Sequence, residues 1–157
     1  MSSNSNDNGR AFEYISLITL FEEISKYRSA KVIENSCYFA AKDAWDSRTD
    51  NIKFALANSA KTSAETLFSL EPLILEEDDD VVELMIQPDS AGVEGDVRDI
   101  VVSRKDIKWE IGLSLKHNHE AVKHSRLSMN LDFGKSWFDR ECSKNYWDEV
   151  KPIFNLL

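Results

Sequence analysis

The spacing of the apolar residues changes once along this chain, near residue 75, and that change dictates a mixed fold. Before it, apolar side chains recur every three to four residues; after it they alternate. The first spacing lines one face of a helix and the second lines one face of a strand. The front half is therefore expected to be helical, and the stretch from Val81 to Lys116 is expected to supply a sheet.

In "NDNGRAFEYISLITLFEEISKYR" the stripe formed by Phe12, Ile15, Ile18 or Thr19, Ile24 and Tyr27 predicts a helix over about residues 9–28. Residues 38–46 and 50–70, rich in Ala, Lys and Glu with few breakers, predict two more, the second ending before Pro72. "VVELMIQ" (81–87), "DVRDIVVSR" (96–104) and "IKWEIGLSLK" (107–116) are short and rich in branched residues, and they predict three strands, the last two as a hairpin. In the third, Trp109, Ile111, Leu113 and Leu115 share one face, and Glu110, Gly112, Ser114 and Lys116 share the other. Residues 119–127 predict a further helix with Ala121, Val122 and Leu127 inward. The fold class expected is α/β (α+β), a small mixed central sheet flanked by helices.

At 157 residues the chain is long enough to bury a core without disulfides or a structural metal, and one domain over residues 1–157 is expected. No apolar run approaches the ~20 residues of a membrane helix, and the polar start "MSSNSNDNGR" carries no secretory pattern, so a cytoplasmic protein is expected. Cys37 and Cys142 lack CxxC spacing and read as reduced thiols. The apolar ending "IFNLL" reads as interrupted, which suggests a chain truncated at its C-terminus.

A net charge of −9 argues against a nucleic-acid partner, because phosphate binding relies on cations that displace condensed counterions. The distribution argues otherwise. Residues 62–97 hold eleven acids and no Lys or Arg, whereas residues 97–126 hold seven Lys or Arg against four acids. The acidic run "EEDDD" at residues 76–80 lacks the glycine and final glutamate of a calcium loop and reads as a solvated turn.

Phosphodiester hydrolysis at neutral pH requires a nucleophilic water, charge neutralisation at phosphorus and a stabilised leaving oxygen; Mg²⁺ held by carboxylates supplies much of this, and a lysine beside the water completes the set. Asp96, Asp99, Ser114 and Lys116 provide those parts on two adjacent strands. A hairpin folded about Asp106 pairs Asp96 with Lys116 and Asp99 with Leu113, which favours Asp96 as the acid. Glu110 lies six strand residues from Lys116, about 20 Å, too far to share a site. His117, His119 and His124 have no Cys or carboxylate at zinc-ligand spacing. With Asn118, Lys123, Ser125 and Arg126 they make better sense as a surface facing phosphates and base edges.

"GDVRDIVV" followed by "EIGLSLKHNHEAVKHSRLS", with "NDNGRAFEYI" in front and "LDFGKSWF" behind, resembles the HaeIII family of type II restriction endonucleases, within the PD-(D/E)xK nuclease superfamily. The resemblance spans most of the chain and is most specific over residues 95–128. It implies a restriction-endonuclease-like core and a Mg²⁺-dependent enzyme that cuts double-stranded DNA at GGCC. Blunt, 5′-phosphorylated ends and a cognate methyltransferase acting on the same site are part of that implication, and a homodimer is compatible with it.

The same resemblance favours Asp99 over Asp96, since "RDIVV" looks like the acid and branched residues of the superfamily, and a bulge would reconcile the two readings. Asp99, Lys116 and Glu13 are read as catalytic residues and Asp99 and Glu13 as metal ligands, with Glu13 preferred to Glu120 and Asp96 kept as a further metal-site candidate, while Asn118, His119, Lys123, His124 and Arg126 are read as facing DNA. Glu13, in "GRAFE", sits where many superfamily members carry an accessory glutamate. One departure stands out: the usual second acid is replaced by Ser114 in "SLK". Two alternatives stay open, a repair or junction nuclease of the same superfamily and a truncated, catalytically silent DNA-binding fragment.

Overall fold

The computed structural model describes residues 2–88, 96–116, 132, 134–135 and 139–154. They fall into two compact units, Met1–His119 and Glu120–Leu157. In the first, α1 (Ser2–Ile24) leads to β1 (Ala30–Ile33), α2 (Ser36–Asp46), α3 (Asp50–Leu70) and a 3-10 turn at Pro72–Ile74. Then come β2 (Val82–Ile86), β3 (Ile100–Arg104) and β4 (Trp109–Leu113). The strands form one mixed sheet in the order β1-β2-β3-β4, with β1 parallel to β2 and the other pairs antiparallel. This is the expected α/β architecture, a small mixed sheet flanked by helices, consistent with a restriction-endonuclease-like core.

Sequence dictates α2 and α3 locally. Asn35 caps α2 by accepting from Tyr38 N at 2.9 Å, and its amide nitrogen donates to Ile86 O at 2.8 Å, so one side chain ties the helix start to the end of β2. Asp50 sits in the first turn of α3, where the helix dipole favours a negative charge, and the helix stops at Leu70, just ahead of Pro72. Leu17, Leu20 and Ile24 of α1 pack with Tyr38, Ala41, Ala64 and Ile74 against Val82, Leu84, Ile86, Ile100 and Val102. Each large side chain so buried contributes about 1.5–3 kcal/mol. A second cluster, Ala11, Phe12, Leu56 and Ala60, packs against Leu115, beyond the end of β4.

Three expectations need correction. The first helix runs over Ser2–Ile24, not residues 9–28, and Tyr27 is 59% exposed instead of inward. The chain turns after Ile24, with Tyr27 N and Arg28 N both bonded to Ile24 O, and this turn sends Arg28 into the interior. Strand β1 was not expected. It pairs in parallel with β2, beginning where Val82 N donates to Ser29 O at 3.0 Å, and α2 and α3 form the crossover a parallel pair requires.

The acidic run is the third. Asp80 is buried, not solvated, and pairs with both Arg28 and Arg104, whose side chains are 1% and 0% exposed. Arg104 Nε reaches Asp80 Oδ2 at 3.0 Å, and its other nitrogens bond Leu73 O, Glu76 Oε2 and Asp78 Oδ2 at 2.9, 3.3 and 3.1 Å. The two guanidiniums hold the Asp80 carboxyl below the usual carboxylate range. Buried charges persist only when paired in this way. The positive balance of residues 97–126 is thus partly consumed inside the fold.

In the second unit α4 spans Lys144–Phe154, and Tyr146 and Trp147 meet edge to face at 5.2 Å. Asp132 accepts from Cys142 N and from Lys135 N, both at 2.9 Å. The helix expected at residues 119–127 lies outside the described residues. Among the described residues no helix is long and apolar enough to cross a membrane.

Candidate active site

The β3–β4 hairpin turns through Lys105–Lys108, where Lys108 N donates to Lys105 O at 3.1 Å and Lys108 takes a left-handed φ of 54°. Its register pairs Ile100 with Leu113 and Arg104 with Trp109. The expected pairing of Asp99 with Leu113 is therefore wrong by one residue. Four residues occupy the turn, so the hairpin does not fold about Asp106, and no bulge is needed to bring Asp99 beside Ser114.

Asp99 is pinned at its backbone from both sides: its N–H donates to Leu113 O at 2.8 Å, and its C=O accepts from Gln87 N at 2.9 Å. Its side chain points to the face of the sheet shared by Ser114 and Lys116. There Oδ2 accepts from Leu115 N at 2.5 Å, from Ser114 Oγ at 3.3 Å and from Lys116 Nζ at 3.4 Å. Lys116 Nζ also donates to Ser114 Oγ at 2.5 Å and to Leu115 O at 3.1 Å. A donor chain runs from ammonium to hydroxyl to carboxylate. The apolar partner in this arrangement is Leu115, whose side chain turns inward to the Phe12 cluster and so holds Ser114 and Lys116 outward.

Asp96 is placed differently. Its carboxylate accepts from Arg98 Nε at 2.9 Å, from Arg98 NH2 at 2.7 Å and from Gln87 Nε2 at 2.6 Å, and Arg98 N donates to its Oδ1 at 3.1 Å. That last bond makes a short Asx turn, which keeps residues 96–98 out of the ladder and starts β3 at Ile100 rather than Asp96. The Arg98 guanidinium, first among several contacts, holds the Asp96 carboxyl at about 2. Arg98 NH1 continues to Glu110 Oε1, so Glu110 is occupied by this arginine and not by Lys116.

Glu13 is half-buried on α1, one residue beyond Phe12, whose ring packs in the cluster that Leu115 joins. Among the described residues no three His, Cys, Asp or Glu side chains gather as a metal-binding set. His117, Asn118, His119, Lys123, His124, Ser125 and Arg126 lie outside the described residues. Sequence reasoning missed Arg98 as part of this surface. A glycine in mid-strand was the available signal, since it marks a close approach: a Cβ on Gly112 would run into the Arg98 stem.

The chain is similar to the type II restriction enzyme HaeIII of Haemophilus aegyptius, with 45% identity over 157 residues, covering 100% of this chain and 49% of that protein. The chain thus spans about half the length of the curated relative it matches. No solved structure matches it. The family description "HaeIII restriction endonuclease" matches residues 9–157, and on that span, together with the identity, the chain belongs to the HaeIII restriction endonuclease family.

Proposed function

We propose that this chain carries the catalytic centre of a type II restriction endonuclease that hydrolyses double-stranded DNA at GGCC with Mg²⁺, leaving blunt 5′-phosphorylated ends, and that residues 1–157 act as one nuclease domain. The observation that carries the reading is the convergence of Asp99, Ser114 and Lys116 on one face at the end of a strand pair.

The oxygen donors present suit a hard cation. Mg²⁺ is usually held by one or two carboxylates together with waters and phosphate oxygens, and Asp99 supplies a carboxylate with the Ser114 hydroxyl beside it. Glu13 and Asp96 are the further carboxylates assigned to that shell. Bound there, Mg²⁺ would polarise the scissile phosphoryl oxygen and offset the charge that builds on phosphorus. Lys116, a point cation on a half-exposed stem, orients the attacking water and faces the developing negative charge. Ser114 holds the ammonium in place, and the Leu115 N–H keeps the Asp99 carboxylate aimed. Asn118, His119, Lys123, His124 and Arg126 are assigned to phosphates and base edges of the duplex.

Digestion of DNA of known sequence, GGCC-methylated and unmethylated, in Mg²⁺ and in EDTA, tests the reading. Fragments ending at unmethylated GGCC in Mg²⁺ alone support it. Cleavage without site preference favours the repair or junction nuclease, and duplex binding without cleavage favours a silent DNA-binding fragment. Either outcome, or full activity in EDTA, overturns the proposal.

A further inference from the structure

Arg28, Arg98 and Arg104 of the first unit each make an ion pair with aspartate, and they are not alike. Arg28 and Arg104 are sealed in the core, at 1% and 0% side-chain exposure, whereas Arg98 retains 36%. A guanidinium that braces a fold gains from being dry; one that reaches solvent can exchange its partner.

Arg98 immediately precedes Asp99, and its stem lies across Gly112, in the same row as Ser114 and Lys116. Four strand residues separate Gly112 from Lys116, about 13 Å, a span that covers a few nucleotides of one DNA strand. Around this face stand the carboxylates of Asp96, Asp99 and Glu110, and the cations drawn to them are Arg98 and Lys116. A phosphodiester approaching Asp99 is repelled by those carboxylates unless a cation meets it.

Resting on the nuclease reading above, we propose that Arg98 is a DNA-phosphate ligand held in reserve: in the free protein it is neutralised by Asp96 and Glu110, and when DNA docks it exchanges Asp96 for a backbone phosphate beside the cleavage site. The described bonds use three of its five N–H donors, through Nε, NH1 and NH2. The planar fork matches phosphate as well as carboxylate. Asp96 and Glu110 are themselves 22% and 50% exposed, and ion pairs open to water are weak enough to be traded. The missing side chain at Gly112 is what lets the Arg98 stem lie across the strand on this face.

Fluorescence anisotropy with a GGCC duplex, in EDTA so that neither hydrolysis nor metal ligation enters the readout, and across a salt series, tests the exchange. Losing one phosphate contact should lower the slope of log K against log salt by about 0.9. Arg98→Ala is expected to show that loss of slope with binding about tenfold weaker or more at low salt, and Arg98→Lys is expected to keep the slope. Asp96→Asn is expected to tighten binding about threefold or more by releasing Arg98, and to have no effect once Arg98 is Ala. A merely structural brace would lower the melting temperature in both single variants and leave the slope unchanged, overturning the proposal. Equal tightening by Asp96→Asn with and without Arg98 would overturn it too. Failure of the wild-type protein to bind duplex would remove the nuclease reading as well, so the two failures are distinguishable.

Discussion

The backbone N–H of Leu115 donates to Asp99 Oδ2 at 2.5 Å, joining the first residue beyond one strand to the second residue beyond its neighbour. Ladder pairing ends at Ile100 and Leu113, and this side-chain bond extends the order two residues further, to the point where Lys116 leaves the sheet. Catalytic groups need to be held by contacts of this kind rather than left on free chain.

Lys116→Ala and Asp99→Asn are each expected to lower GGCC cleavage about 100-fold or more. Both side chains are partly exposed, so the cooperative unfolding transition should stay within a few degrees of wild type. Agarose-gel cleavage rates and thermal melts on the same preparations check both halves; retained cleavage would remove these residues from the chemistry.

Ser114 stands where the superfamily resemblance implies a second acid. Ser114→Ala should cost no more than about tenfold in rate, because a neutral hydroxyl bond is lost while the carboxylate stays. Ser114→Asp adds an anionic oxygen ligand and should reduce the Mg²⁺ concentration needed for half-maximal cleavage. A metal titration of the three proteins reads the ordering directly.

Acid should loosen the first unit. Asp96 titrates at about 2 in the fold against an ordinary 3.8, and Asp80 and Glu83 are also held below their usual values, by Arg104 and Arg28 and by Lys105 and Lys31. Their folded values are depressed, so this stabilisation is complete above about pH 5 and drains away as pH falls toward 2. For Asp96 it amounts to at most about 2 kcal/mol. Urea unfolding at pH 7, 4 and 2.5 measures the loss, and Asp96→Asn should flatten it.

Arg104→Leu should be far more damaging than any substitution at the open face. It strands Asp80 in the core with only Arg28, and breaking a buried pair costs about 3–5 kcal/mol. Chemical denaturation reads this, and a loss below 1 kcal/mol would mean that water reaches the site and solvates Asp80.

The extents of α2 and α3 were legible from composition and breakers because short-range rules govern them: Asn35 caps, Asp50 starts and Pro72 stops. So was the alternation that sends Ser114 and Lys116 outward. What could not be read was set by distant partners. Arg28 and Arg104 lie 52 and 24 residues from Asp80, so the acidic run looked solvated. Four-residue β1 has no alternation to display; it exists because β2 offers it an edge. The hairpin register depended on a turn centred between Asp106 and Ile107, a shift of half a residue that moves every cross-strand partner by one.

Among the described residues strand β4 has a neighbour on one side only, and the lysine end of the site is carried by a hairpin whose far end is the Lys105–Lys108 turn. Such a hairpin works like a rotary selector with two settings. One residue more or less in that loop, some 25–30 Å of extended chain from Lys116, would turn Ser114 and Lys116 toward the helices and present Leu113 and Leu115 to the solvent. Loop length, normally the most forgiving property of a protein surface, is here a determinant of which atoms stand on the open face.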